Sequence, residues 1–207
     1  MYSINNQKGF SLLEMMVAIS IFIIIVVVTM DIFKNSIENQ KNIVAVQNTQ
    51  ESMRYVFEVI SKEIRLAKES NTDCDSIITS LGFPSVTANS KLYHSALTND
   101  GKNILYFKNK DDECVAYYIE NDSNGVSRLK IFRDDISDGF DNTSFYITPD
   151  EINVNSFDFK IIDNTISAIN TLQPRATVRM EIIANNSQDI YKQTINIQTT
   201  ISSRYYE

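Results

Sequence analysis

The chain has 207 residues, of which 43% are hydrophobic and 22% charged, so it contains enough apolar side chains to fold around a core. Its 26 acidic and 19 basic residues give a net charge of -7, which argues against broad nucleic-acid binding, since that requires clustered lysine and arginine. One histidine and two cysteines are too few for a structural zinc cluster, and five glycines leave little room for a glycine-rich phosphate loop.

An uncharged apolar segment follows a short polar leader at the N-terminus. Residues 15–30 carry no charged side chain. Extended back to Phe10, the segment has about 21 residues, and a helix that rises ~1.5 Å per residue would cross a bilayer core over that length. Lys8 and the N-terminal amine mark the cytoplasmic side. The sequence therefore predicts one transmembrane segment over about residues 10–30, with the N-terminus in the cytoplasm and the remainder outside.

Two ordinary interpretations compete for this segment. A cleavable signal peptide has a shorter apolar stretch with small residues near its far end, and the run VVVTMDIF at 26–33 offers no such site. A plain signal anchor fits the length but leaves Glu14 unexplained, because an ionisable residue inside an apolar segment is costly and usually functional. The simplest alternative for Glu14 is a position at the level of the lipid headgroups.

Residues 8–14 read Lys-Gly-Phe-Ser-Leu-Leu-Glu and lead directly into the apolar run. This pattern resembles the processing site of type IV prepilins and type II secretion pseudopilins. The resemblance implies that a membrane aspartyl prepilin peptidase cuts between Gly9 and Phe10, and that Phe10 is then N-methylated. It also implies an assembly role for Glu14, whose carboxylate would meet the terminal amine of a neighbouring subunit.

The helical pattern continues past the apolar run. No glycine or proline occurs between Phe10 and Gly82, and apolar residues recur at gaps of mostly three, four and seven as far as Ala67. A long coiled coil is the weaker interpretation, because polar residues at 47, 48, 50 and 52 interrupt the seam. The pattern predicts one long helix over residues 10–70, with a membrane half and an amphipathic half.

Residues 71–207 predict a β-rich, extracytoplasmic head that carries the whole net negative charge, since acids and bases balance in residues 1–70. A polar, irregular segment at 71–103 precedes the strands, and the polar runs 121–125 and 185–189 are predicted hairpin turns. The expected strands are 104–107, 114–120, 128–133, 144–147, 154–162, 176–184 and 190–201.

The resemblance and the strand pattern together predict an α+β, type IV pilin-like fold. It would consist of a leader peptide at 1–9, the helix at 10–70 and the head at 71–207, with one sheet face packed on the apolar stripe of residues 53–67. Three features resemble minor pilins of the PilW and PulJ type: residues 53–70, the Cys-x-x-Tyr strand at 114–117, and Arg204.

Candidate chemistry in the head is sparse. Outside the cytoplasm Cys74 and Cys114 are expected to form a disulfide, although two free thiols are the alternative in a reducing setting. His94 has no recognisable catalytic partner nearby, so a surface or loop position is expected. The carboxylate-rich run from Asp134 to Asp141 lacks the EF-hand spacing and the closing glutamate of a Ca²⁺ loop, so a solvated turn is favoured. The sequence predicts no catalytic residue, metal site or cofactor.

The function predicted from these features is that of a minor pilin or pseudopilin in a type IV pilus-like or type II secretion-like fibre. Its implied partners are the prepilin peptidase, other pilin or pseudopilin subunits, the inner-membrane assembly platform and, before assembly, membrane lipid. One alternative is a tip subunit that captures DNA, a surface or a secreted substrate. The acidic head argues against DNA, and a membrane-anchored enzyme lacks a nucleophile–base set.

Overall fold

The computed structural model describes residues 9–70, 74–84, 92–97, 101–135, 143–162, 173–184 and 194–204. The chain divides between Val44 and Ala45 into two units. The first helix, α1, spans Leu12–Arg65 and contributes residues to both units. The second unit contains two antiparallel sheets, so the predicted α+β, pilin-like fold is confirmed.

Two antiparallel meanders form the head. The five-stranded sheet has the order β1-β2-β3-β4-β5, and the three-stranded sheet has the order β6-β7-β8. The strands are β1 His94–Leu97, β2 Asn103–Lys108, β3 Glu113–Asn121, β4 Ser127–Asp135, β5 Thr143–Tyr146, β6 Ile152–Ile162, β7 Arg175–Ala184 and β8 Thr194–Ser202, and a short helix α2 covers Asp75–Ser80. Since consecutive strands pair in both sheets, each hairpin could form by local closure of the chain.

The amphipathic stripe of α1 supplies one wall of the main core. Met53, Val56, Ile60 and Ile64 are fully buried, at gaps of three and four that keep them on one helix face. They cluster with alternate residues from both sheets: Leu105, Phe107, Val115, Tyr117, Leu129 and Ile131 from the first, and Ala176, Val178, Met180 and Ile182 from the second. The prediction that a sheet face packs on this stripe is therefore confirmed.

The middle of the five-stranded sheet, at β2 and β3, is buried on both faces. In β3, Val115 and Tyr117 belong to the main core, whereas Ala116 and Tyr118 belong to a second cluster on the opposite face. That cluster also contains Ile78 of α2. A strand that is buried on both faces loses the alternation of apolar and polar residues, and this explains the continuous apolar run in β3.

The helix α1 ends at Arg65, five residues before the predicted end at 70, although no glycine or proline stops it. Contacts with the head take over its last carbonyl groups: the Tyr93 hydroxyl donates to Ile64 O at 2.8 Å, and Arg204 N donates to Arg65 O at 2.9 Å. Lys68 N then donates to Lys108 O at 2.8 Å and continues the chain as an extended segment. Tertiary hydrogen bonds therefore override the helical preference of this segment.

The hairpin turn predicted at 121–125 is confirmed between β3 and β4. Oδ1 of Asp122 accepts hydrogen bonds from Asn124 N at 2.8 Å and from Val126 N at 3.0 Å. The bond from Val126 is the main reason that the pKa of Asp122 lies below its ordinary value. Gly125 has a φ of 78°, which a residue with a side chain rarely adopts. The predicted turn at 185–189 lies outside the described residues.

The segment 71–103 differs from the prediction of an irregular loop, because it contains α2 and β1. His94 is not a surface residue: it lies in β1, is 3% exposed, and its ring stacks on Tyr106 at a centroid distance of 5.0 Å. Its Nε2 is 2.9 Å from the Ser70 hydroxyl. A four-residue strand at the end of a polar segment carries too little periodicity to be found from sequence.

We expect Ile60→Ala to lower the free energy of unfolding of the head by about 2–5 kcal/mol, because it removes buried methyl groups and leaves a cavity. The matched control is Ile43→Ala on the same helix, where the side chain is 58% exposed and little should be lost. Urea unfolding of a fragment that begins at residue 35, which lacks the apolar segment and should be soluble, measures both. Equal effects of the two substitutions would contradict this packing of α1.

Candidate functional site

Gly9 and Phe10 lie immediately before the first turn of α1. Phe10 is 80% exposed, and a Cβ atom built on Gly9 would meet nothing within 4 Å. The peptide bond between them is therefore accessible in this chain, and space in this chain does not itself require glycine at position 9. A requirement for glycine would have to arise in the cleft of the peptidase, where a residue without Cβ lets the chain lie extended.

Glu14 lies in the first turn of α1. Ser11 O accepts hydrogen bonds from Glu14 N at 3.1 Å and Met15 N at 3.2 Å, so Ser11 is the residue that precedes the helix. Serine followed three residues later by glutamate is the capping-box pattern. Sequence reasoning did not use this pattern, which locates the helix start to within a residue. A carboxylate in the first turn is also favoured by the helix dipole.

The apolar part of α1 is exposed around its whole circumference. Met16 is 64% exposed and Phe22 is 66% exposed, although they lie in an uncharged hydrophobic run. The two hydroxyl groups beyond Glu14 bond within the helix: Ser20 donates to Met16 O at 2.8 Å, and Thr29 donates to Ile25 O at 2.9 Å. These hydroxyls therefore need no water, and among the described helices α1 alone is long and apolar enough to cross a bilayer.

A partly buried polar cluster joins α1 to the five-stranded sheet. The carboxylate of Glu63 accepts hydrogen bonds from the Arg133 guanidinium of β4 and from the Tyr117 hydroxyl of β3. Burial and the adjacent Glu63 charge raise the pKa of Tyr117 well above its ordinary value, so the phenol keeps its proton and donates it. The cluster borders a groove of about 580 Å³. The Arg133 Nε is buried there without a hydrogen-bond partner among the described residues.

The two cysteines lie together in the second core. Cys74, just before α2, and Cys114, in β3, have Cα atoms 5.6 Å apart, and their sulfur atoms are joined in a disulfide that links residues 40 positions apart. Both side chains are buried beside Ile78. The bond fastens α2 to the middle of the five-stranded sheet.

The carboxylate-rich run predicted as a solvated turn is only partly described. Asp134 and Asp135 belong to β4, and Asp134 is 5% exposed, so this end of the run is a strand rather than a turn. Residues 136–142 lie outside the described residues. Within the described ranges, no group of three or more histidine, cysteine, aspartate or glutamate side chains is placed to hold a metal ion.

The exposed apolar helix and the mixed head define the class of protein: an α+β, pilin-like chain whose N-terminal helix fits a single-pass membrane anchor. One family model, the prokaryotic N-terminal methylation motif, matches residues 4–30, which include Gly9, Phe10 and Glu14. The match supports a type IV prepilin-like protein, as predicted. No curated protein and no solved structure matches the chain.

We expect the mature chain to begin at Phe10, and Gly9→Ala to leave much of the precursor uncut. Because alanine fits at position 9 in this chain, the loss of cleavage would occur without damage to the head. Intact-mass analysis of the membrane fraction measures both forms, with Asn6→Ala as a leader control that should be processed normally. A wild-type product that retains Met1 would refute this prediction.

The disulfide should be present in protein recovered from outside the cytoplasm, where its intact mass should be lower by the two thiol hydrogens. In the loop-entropy model a bridge across 40 residues stabilises the folded head by roughly 3–4 kcal/mol. Addition of a reductant should therefore shift the urea midpoint of the wild type downward. A variant that combines Cys74→Ala and Cys114→Ala should not respond to the reductant, and free thiols in the untreated wild type would argue against the bridge.

Proposed function

We propose that this chain is a minor pilin or pseudopilin, a structural and assembly subunit of a type IV pilus-like or type II secretion-like fibre. The observation that carries the proposal is the matched motif at residues 4–30, in which Gly9 and Phe10 precede a helix whose uncharged run, residues 15–30, is exposed. Proteins with this motif are generally structural rather than enzymatic, and we propose the same role here.

The apolar segment would have two successive environments. Before assembly it lies in the cytoplasmic or inner membrane, with the leader in the cytoplasm and the head outside. The prepilin peptidase removes residues 1–9 and the new terminus at Phe10 is methylated. At the assembly platform the helix then leaves lipid and packs against the helices of neighbouring subunits, where its exposed apolar surface is buried again.

Glu14 would set the register of this packing. An ionised carboxylate inside an apolar surrounding is destabilising by several kcal/mol unless it is paired, protonated or close to the interface. Cleavage creates a cationic amine on Phe10, and the matching amine of a neighbouring subunit would meet Glu14 in a low-dielectric environment. Only one axial offset between the two helices brings the two charges together, so the pair selects that offset.

The PilW and PulJ type is our finer proposal within this group. It is supported by the sequence of the segment 53–70 and by Cys114 and Tyr117 in β3. The position of Arg204, after a threonine-rich strand, also supports it.

We expect Glu14→Ala to leave membrane insertion and cleavage intact, while the incorporation of the subunit into sheared fibres falls. The substitution removes a costly charge from the monomer and the register-setting partner from the fibre. Glu14→Gln, which keeps the shape and loses the charge, should behave similarly, whereas Asp31→Ala outside the uncharged run should incorporate normally. Immunoblots of membranes and sheared fibres measure both steps. Normal cleavage with normal incorporation would reject the pairing, and loss of cleavage would assign Glu14 to the peptidase.

A further inference from the structure

A groove of about 640 Å³ runs along one exposed flank of the last part of α1, where the helix packs on the head. Four of its lining residues are cationic, namely Arg54, Lys62, Arg65 and Arg204, and one is anionic, Glu58, which leaves an excess of three positive charges. We call this groove, with its four cationic residues, the basic groove. The feature is unexpected because the chain as a whole has a net charge of -7.

The cations of the basic groove are available for a partner. Among the described residues none of them forms an ion pair within 4.0 Å, and all four side chains are exposed. The bond from Arg204 N to Arg65 O, at 2.9 Å, holds two of the arginines side by side. Like charges that the backbone holds together repel one another, and an anionic partner would relieve that repulsion.

A second groove in the same unit has the opposite charge. It has a volume of about 530 Å³ and lies between α1 and the start of β6. Glu51 and Glu151, both exposed, are the only ionisable residues of its lining. We call this pair the acidic cleft. Glu51 precedes Arg54 by less than one helical turn, so the two charged surfaces follow one another along α1.

We propose that the basic groove docks on the acidic cleft of a second copy of this chain in a head-to-tail contact. Guanidinium groups bind carboxylates with paired hydrogen bonds, which suits arginine in the groove and glutamate in the cleft. Each subunit carries both surfaces, so the contact leaves one of each free to bind again. Such heterologous contacts build open filaments rather than closed dimers.

A nucleic acid fits the basic groove less well than a protein carboxylate. A long polyanion would have to approach a head that holds the whole net negative charge of the chain, and four cations neutralise only a short stretch of phosphates. The groove also lies on α1, the helix through which the proposed fibre assembles. The inference rests on that proposed function and specifies which surfaces of the heads meet.

The experiment places a photoreactive residue at Ser61, which lines the basic groove without contributing a charge. Two differently tagged copies of the full chain are produced together, and isolated membranes and sheared fibres are irradiated. We expect a cross-linked dimer that carries both tags and whose linked peptide contains Glu51 or Glu151. The yield should fall by roughly three- to tenfold in Arg54→Glu with Arg65→Glu, and similarly when salt is raised to about 0.5 M.

The charge swap is the decisive variant. The double variant Glu51→Lys with Glu151→Lys should by itself lower the cross-linking yield. When it is combined with Arg54→Glu and Arg65→Glu, the yield should return, because the charges of both surfaces are then reversed. Arg175→Glu, an exposed change on the three-stranded sheet outside the groove, is the matched control and should keep the wild-type yield.

Other results would overturn the inference. These are a cross-link to a different protein, a cross-link to nucleic acid, no dimer in either fraction, or a dimer whose yield ignores the charge reversals. The proposed function is judged separately from the amount of wild-type subunit in the sheared fibres. If the subunit is present there and the Ser61 dimer is absent, the docking fails while the fibre function stands. If the subunit is absent from fibres, the fibre function fails whatever the dimer yield.

Discussion

An α-helix satisfies its own backbone hydrogen bonds, so one continuous helix can suit two different surroundings at its two ends. Over the uncharged run the side chains of α1 are apolar in every direction, and Ser20 and Thr29 return their hydroxyl hydrogens to the preceding turn. Further along, only one stripe is apolar, and Ile60 and Ile64 are fully buried. The same backbone therefore suits lipid at one end and a protein core at the other.

The head depends on α1 because neither sheet could bury its inner face without it. The stripe around Ile60 lies in one cluster with residues of both sheets, so removal of the helix would expose the centre of the main core. Polar contacts then fix its position: Glu63 binds Tyr117 and Arg133, and Arg204 binds the last turn. On the other face of the five-stranded sheet, α2 and the disulfide cover the second core.

Sequence patterns that repeat over many residues predicted the long elements, whereas features that depend on residues distant in sequence could not be predicted. The uncharged run, the apolar stripe of α1 and the strand alternation are periodic over many residues, and these elements were predicted. The end of α1 at Arg65 depends on hydrogen bonds from Tyr93 and Arg204, which are distant in sequence, so local pattern could not reveal it. The strand β1 was missed because it is short. The burial of His94 was missed with it, because His94 lies in that strand.

Functional residues were likewise predicted where they form a local motif and missed where they come together only in the fold. Gly9, Phe10 and Glu14 were found because they form one short motif with fixed spacing. The basic groove was missed because Arg204 comes from the far end of the chain and the overall composition is acidic. The contact of Glu63 with Arg133 joins residues 70 positions apart, and a single sequence holds no signal for such a pair.

In the proposed fibre subunit, Glu14 would also act at the start of the helix. In the precursor, Ser11 and Glu14 stand in the capping-box positions, where a carboxylate complements the partial positive charge of the helix terminus. Cleavage would add a cationic amine at Phe10 to that same end, and the helix dipole disfavours a cation there. The Glu14 carboxylate, about one turn away, offsets this charge within the single subunit. Exchange of that local partner for the amine of a neighbour would then replace one ion pair by another, so an unpaired charge need not arise as the helix leaves lipid.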